Sequence, residues 1–170
     1  LLLPVAQTAQ AAADALARAC EVMDRRVIDA APTPRVIIFI DELADLCMTG
    51  GAAVVDALTR IAQRGRESGL HLIVCTQKPS SKAIGPLLKA NLPLRLVGKV
   101  SSLEDARTAA GLPATGAERL NGRGDFVAVT GTRVIRFQAA EPDVLEIGRR
   151  RPILAAVNPA SYQPGLLASR

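Results

Sequence analysis

Asp41 and Glu42 are adjacent carboxylates at the end of a five-residue apolar run, Val36-Ile37-Ile38-Phe39-Ile40, within "RVIIFIDELADL" (residues 35–46). The chemistry open to such a pair follows from what each acid can do. A strand-terminal Asp can hold a Mg²⁺ ion bridging nucleotide phosphates, and the acid beside it can orient an attacking water. Gln77 closes a second apolar run, "LHLIVCTQ" (70–77), where an amide one strand over could share in placing that water. The same residues would also serve as a solvated strand end or a helix cap. Residue types alone leave nucleotide hydrolysis and a structural role both open.

The elements that must position these groups are legible in outline. Both runs are unalternated and rich in β-branched residues, as strands covered on both faces of a parallel sheet are. The interval from Asp41 to Gln77 accommodates a helix, which predicts a βαβ crossover with both polar ends at one sheet edge. Open α/β sheets bind their ligands at that edge. The crossover helix is expected after "TGG" (49–51), with Val54, Leu58 and Ile61 inward and Asp56, Arg60 and Arg64 outward, ending in "RGRESG", where Gly65 and Gly69 supply the exit.

Upstream, Leu16, Cys20, Met23 and Val27 recur at helical spacing before "APTP" breaks the helix. Downstream come a short helix through Ile84, Leu87 and Leu88, a third strand in "LPLRLVGKV", and a helix capped by Ser101 and ending at Gly111. Two strands around Thr130-Gly131 read as a hairpin, with Arg123-Gly124-Asp125 as the turn into it. From Glu141, with Pro142, Pro152, Pro159 and Pro164, the chain reads as a Pro-rich tail or linker (141–170).

Composition narrows the partners. At 170 residues and 49% hydrophobic content the chain suits one domain with a real core. Lys and Arg outnumber Asp and Glu 21 to 16, a net +5 that favours a polyanionic partner. Aromatic residues are only 2%, which disfavours base stacking on single strands and leaves contact with duplex phosphates. Cys20, Cys47 and Cys75 form no C-x-x-C pair, arguing against a disulfide framework or zinc site and for a reducing, cytoplasmic setting. Cys47 and Cys75 are expected to be small hydrophobes beside the site, and His71 a hydrogen-bonded core histidine. No stretch approaches the ~18–20 apolar residues of a membrane span, so no membrane contact is expected from this segment. With no initiator Met, and with "LLLPV" too short and unflanked for a signal peptide, the chain is expected to be a piece of something longer.

Taken together and in order, "VIIFIDELADL", "RGRESGLHLIVCTQKPS", "LLKANLPLRL", "VSSLEDAR" and "ERLNGRGDFV" resemble the FtsK/SpoIIIE family of hexameric double-stranded DNA translocases, from about Leu3 to about Phe137. The resemblance implies an α/β fold: a RecA-like P-loop NTPase core of the ASCE type, with a mostly parallel sheet flanked by helices and a C-terminal β-hairpin. It would be present as a partial domain over residues 1–140. It implies ATP and Mg²⁺ as cofactors, and double-stranded DNA and further copies of the chain, in a hexameric ring, as partners. "IDEL" matches the Walker B motif. By that resemblance Asp41 is the Mg²⁺-organising acid, Glu42 the catalytic carboxylate, and Gln77 the sensor that couples the γ-phosphate to motion.

Arg66 lies in the segment that in this family faces a neighbouring subunit's nucleotide, as an arginine finger would, with Arg64 and Arg95 as alternates. Lys78, Lys82, Lys89 and Arg107 fall where such motors display DNA-contacting loops, and Lys78 stands where the family more often has Arg. The family's G-x-x-x-x-G-K-[ST] loop, which wraps phosphates in backbone N–H groups, is absent from this sequence, so the chain by itself is expected not to hydrolyse ATP. Two rivals share these blocks: a conjugative or secretion-type DNA pump, and a non-hydrolysing remnant that serves as a binding module.

Overall fold

A computed structural model describes residues 5–30 and 32–141. In order, these form α1 (Ala9–Asp29), β1 (Val36–Ile40), α2 (Leu43–Arg64), β2 (Leu70–Val74), α3 (Ser81–Ile84), α4 (Pro86–Ala90), β3 (Leu94–Val97), α5 (Leu103–Ala110), a 3₁₀ turn (Ala117–Arg119), β4 (Asp125–Thr130) and β5 (Arg133–Gln138). Ala6–Ala139 make up one unit, and the Pro-rich tail expected from the sequence lies, from residue 142 on, outside the described residues. No helix among the described residues is long and apolar enough to cross a membrane.

The βαβ crossover is present. β1 and β2 pair in parallel, Val36 opposite Leu70 and Ile40 opposite Val74, with α2 between them in sequence. α2 starts earlier than expected, at Leu43, because Glu42 caps it, and Gly51 (φ 67, ψ −166) is a kink inside the helix rather than its entry. Val54, Leu58 and Ile61 are buried with Leu16, Cys20 and Met23 of α1 in the first core. The fourth position of the α1 stripe departs from expectation: Val27 is 48% exposed, and Arg26 is buried beside it. The last turn of α1 faces the backbone of the 65–69 turn, and the Arg26 guanidinium donates to the buried Ser68 carbonyl at 3.1 Å, a group that would otherwise lack a partner. In that turn Gly69 (φ +72) lies so close to the Pro32 carbonyl that any Cβ would overlap it.

The covering of β1 also departs from expectation. Only one face of β1 is covered among the described residues: Ile40 is buried and Val36 and Ile38 pack against the core, whereas Ile37 is 64% and Phe39 63% exposed. The third strand does not extend the parallel pair. β3 pairs antiparallel with β4 (Leu94 opposite Thr130), and β4 with β5 (Thr130 opposite Arg133), giving a separate three-stranded sheet. The α/β class holds, while the parallel part among the described residues is β1–β2 alone. The two-residue connection Gly131-Thr132 allows only an antiparallel return, and it makes the expected hairpin.

Val97, Val127 and Val129 from this second sheet meet Ala106 and Ala110 of α5 in a second core. α5 is capped by Ser102, which accepts from the Asp105 N–H at 3.1 Å, rather than by Ser101. "SSLED" offers an acid three residues after either serine, so spacing could not choose between them. The short helix through Leu88 divides into α3 and α4 at Gly85 (φ 90), since Pro86 has no N–H to continue the first.

Asp125 opens β4 and is buried, accepting from Arg136 Nε at 2.9 Å, Arg136 Nη2 at 2.7 Å and the Asn121 N–H at 2.8 Å. The Arg136 bonds first, and the Asn121 N–H second, hold its pKa down from 3.8 to about 2. A carboxylate depressed on folding contributes stability that is present above its unfolded pKa and lost as pH falls through the folded one. The stability difference between the parent and Asp125→Asn, measured by denaturant titration, is therefore expected to be constant above about pH 4 and to shrink between about pH 4 and about pH 2. A difference independent of pH across that window would contradict the assignment.

Candidate active site

The parallel register places the two sequence-predicted acids. At the C-terminal ends of β1 and β2, Cys75 N–H donates to the Ile40 carbonyl and Leu43 N–H to the Cys75 carbonyl, each at 2.8 Å, so the end of β2 is fastened to both the end of β1 and the start of α2. Asp41 sits exposed in the turn between them. The ion pairs among the described residues engage Asp24, Glu118 and Asp125, leaving Asp41 unpaired.

Glu42 is held from three sides. Its Oε1 accepts from the Ala44 N–H at 3.2 Å and from the Thr76 hydroxyl, and its Oε2 accepts from the Gln77 N–H at 3.0 Å. The Thr76 hydroxyl, above all, keeps its pKa below the usual carboxylate value. Burial opposes that shift, and the Gln77 and Ala44 N–H groups and the Lys78 charge add to it. The group is therefore an anion with Oε1 fully engaged and one acceptor site of Oε2 open, enough to orient a water. It is a helix cap as well, so the structural role weighed from the sequence is also met.

Thr76 was missed by sequence reasoning. Its signal lies in the register: continuing Ile40 opposite Val74 by two residues sets Glu42 opposite Thr76. Gln77 meets Glu42 through its backbone N–H, and its side chain is exposed.

Arg66 is not brought to this site. It is exposed in the turn before β2, whereas the acids lie beyond β2's other end, a separation of roughly 15 Å or more for five strand residues. Arg64, in the last turn of α2, shares that distant end. Arg95 drops out as an alternate finger, since its guanidinium donates to the Ala110 carbonyl at 2.8 Å and the Lys89 carbonyl at 3.3 Å.

Of the four predicted DNA-contacting residues, Lys78, Lys82 and Arg107 are exposed. Lys89 is half-buried, with its ammonium donating to the Pro79 and Thr108 carbonyls, both at 2.6 Å, and so is not displayed to a partner. His71 is half-buried on β2 with no side-chain hydrogen bond among the described residues. Cys47 is buried as expected, and its thiol is pushed up by that burial. Cys75 is exposed.

The described residues contain no group of three or more His, Cys, Asp or Glu side chains able to hold a metal by themselves. Mg²⁺ in nucleotide sites takes one or two carboxylates and completes its shell with phosphate oxygens and water. A solvent-facing, unpaired Asp41 fits that donor set. The phosphate-wrapping loop is not among residues 1–170.

Residues 4–81 match the model of the FtsK/SpoIIIE family. DNA translocase FtsK of Bacillus cereus is 39% identical over 136 residues, 79% of this chain and 17% of that protein. DNA translocase SpoIIIE of Bacillus subtilis is 44% identical over 109 residues, 63% of this chain and 14% of that protein. The chain thus spans about a sixth of the length of these relatives. Among solved structures, the pCW3 conjugation coupling protein TcpA in its monomer form with ATPgS superposes with a TM-score of 0.75 at 21% identity, over 88% of this chain and 49% of that one. The cytoplasmic domain of the Thermomonospora curvata type VII secretion ATPase EccC gives 0.56 at 24% identity, over 71% and 14%. These likenesses show a shared α/β fold, that of a partial RecA-like domain.

Proposed function

We propose that this chain, which belongs to the FtsK/SpoIIIE family, supplies the Walker B part of an ATP-driven motor that moves along duplex DNA without regard to sequence. The observation that carries this reading is the Glu42 carboxylate, fixed at the C-terminal edge of a parallel strand pair by Thr76 and Gln77 just past the end of β2, and flanked by an Asp41 that is exposed and, among the described residues, unpaired. Asp41 is the residue that would hold Mg²⁺, which when bound with nucleotide offsets charge on the transferred phosphoryl group. Glu42 orients water through the open acceptor site of Oε2. The Gln77 N–H donates to that carboxylate, so any displacement of Gln77 is felt at the acid.

Lys78 follows Gln77 directly, and Lys78, Lys82 and Arg107 offer exposed cations to a phosphate backbone. The position of Arg66 at the far end of β2 from its own chain's acids supports a role on a neighbour's nucleotide, and a ring of six is the assembly proposed.

Purified residues 1–170 are expected to hydrolyse ATP at background rate, because a water-orienting acid cannot by itself retain a triphosphate. Fused behind a G-x-x-x-x-G-K-[ST] segment of the family type, the chain is expected to gain an ATPase that duplex DNA accelerates. DNA-stimulated turnover by residues 1–170 alone, or a folded fusion without turnover, would overturn the reading.

A further inference from the structure

Lys89 stands where two cores meet. Its neighbour Leu88 is buried in the first, with α1, α2 and the parallel strands, while Ala106 and Ala110 of α5 belong to the second. The last carbonyls of a helix have no intrahelical donor, and cations are favoured beside them. At the end of α5 two such carbonyls are taken by cations from outside the helix: Thr108 by the Lys89 ammonium at 2.6 Å, and Ala110 by Arg95 at 2.8 Å. Gly111, at the α5 C-cap, is what admits the Arg95 guanidinium, since a Cβ there would overlap it.

The second bond of the Lys89 ammonium reaches a different element. It runs to the Pro79 carbonyl, also at 2.6 Å, in the loop that follows β2. That loop is fastened at its near end by the Thr76 hydroxyl and Gln77 N–H on Glu42, and the Lys78 N–H donates to Thr76 at 3.1 Å. Residues 76–79 are therefore held at both ends, by a carboxylate at one and an ammonium at the other. Pro79 has no N–H of its own to anchor the far end.

We propose that Lys89 is a positioning residue, whose ammonium clamps the loop after β2 to the C-terminal end of α5 and so keeps Thr76 and Gln77 on the Glu42 carboxylate. Burial first, and the Arg95 charge second, push the Lys89 pKa down, in keeping with an ammonium withdrawn from water. The clamp stands on geometry alone, and only its consequence for catalysis rests on Glu42 being the water-orienting acid.

The test reads the loop and not the ATPase, so it can fail independently of the proposed function. In the 170-residue chain, Lys89→Met keeps the aliphatic stem and removes the ammonium. Amide hydrogen exchange at Gln77 and Lys78 is expected to quicken by about tenfold or more, while Leu58 and Ile61 in α2 keep their rates within about twofold. Arg95→Met is the control: it frees the same end of α5 and the Lys89 carbonyl while leaving the Lys89 ammonium and its bond to the loop in place, and is expected to leave Gln77 and Lys78 unchanged. Unchanged loop exchange in Lys89→Met, equal acceleration in Arg95→Met, or a uniform rise across all amides would each overturn the positioning role. Should Lys89→Met fail to fold, Lys89→Gln, neutral and too short to span both carbonyls, is read by the same criteria.

Discussion

Glu42→Gln is expected to lower DNA-stimulated ATP turnover about 10²- to 10⁴-fold once a phosphate-binding loop is supplied, with nucleotide affinity largely retained. The substitution keeps shape, and it leaves Asp41 and the strand pair untouched. One amide oxygen can still accept from Ala44 N–H and the Thr76 hydroxyl, the two donors that reach Oε1. The amide NH₂ must then face the Gln77 N–H, donor against donor, where Oε2 now accepts. Flipping the amide only moves the conflict to the Ala44 N–H. The variant thus loses the negative charge that orients water and also the bond that pins Gln77.

Two companions separate these losses. Glu42→Asp keeps the charge but withdraws it by about 1.5 Å, one carbon–carbon bond. Thr76→Val removes the hydroxyl that contributes most to the low Glu42 pKa and leaves the acid in place. Thr76→Val is expected to lose the least turnover, and Glu42→Gln the most. Steady-state ATPase rates and equilibrium nucleotide binding check the order. A Glu42→Gln rate close to the parent's would remove Glu42 from its role.

The edge of the fold that carries Asp41 and Glu42 could be read from sequence because an apolar run has to end where polar side chains find solvent, and the distance to Gln77 fits one crossover helix. The covering of a strand could not be read in the same way. Val36–Ile40 records a segment made to pack, but an unalternated pattern does not say which face is met, and Ile37 and Phe39 are exposed among the described residues. Gly50-Gly51 suggested a boundary because glycine weakens helices, yet Glu42 supplies a cap strong enough to start α2 upstream, and the chain absorbs Gly51 as a kink. The basic residues were the least legible. Lys78 and Lys89 both follow strand or helix signals and carry the same charge. Only the placement of α5 makes one an exposed cation and the other a half-buried donor to two carbonyls. Arg95, an alternate finger by its sequence position, is committed to the ends of α4 and α5.

Arg66→Ala rings are expected to be inactive alone and to regain turnover when mixed with Glu42→Gln subunits. The argument is one of distance. Arg66 precedes Leu70 at the start of β2, while Asp41 and Glu42 lie past the strand's other end, so no subunit can direct Arg66 at its own acids. In a head-to-tail ring each complete site would take Asp41 and Glu42 from one chain and Arg66 from the next. Random mixing of equal amounts then gives about a quarter of interfaces with an Arg66→Ala chain supplying the acids and a Glu42→Gln chain supplying the arginine. Each parent ring has no intact interface at all. An arginine finger is worth roughly 10³ to 10⁵ in rate, so the restored interfaces would dominate the turnover of the mixture. If Arg66→Ala rings hydrolysed ATP at full rate unmixed, Arg66 would lose the role of finger, and of the two alternates only Arg64 would be left, because Arg95 has its guanidinium bound to backbone carbonyls.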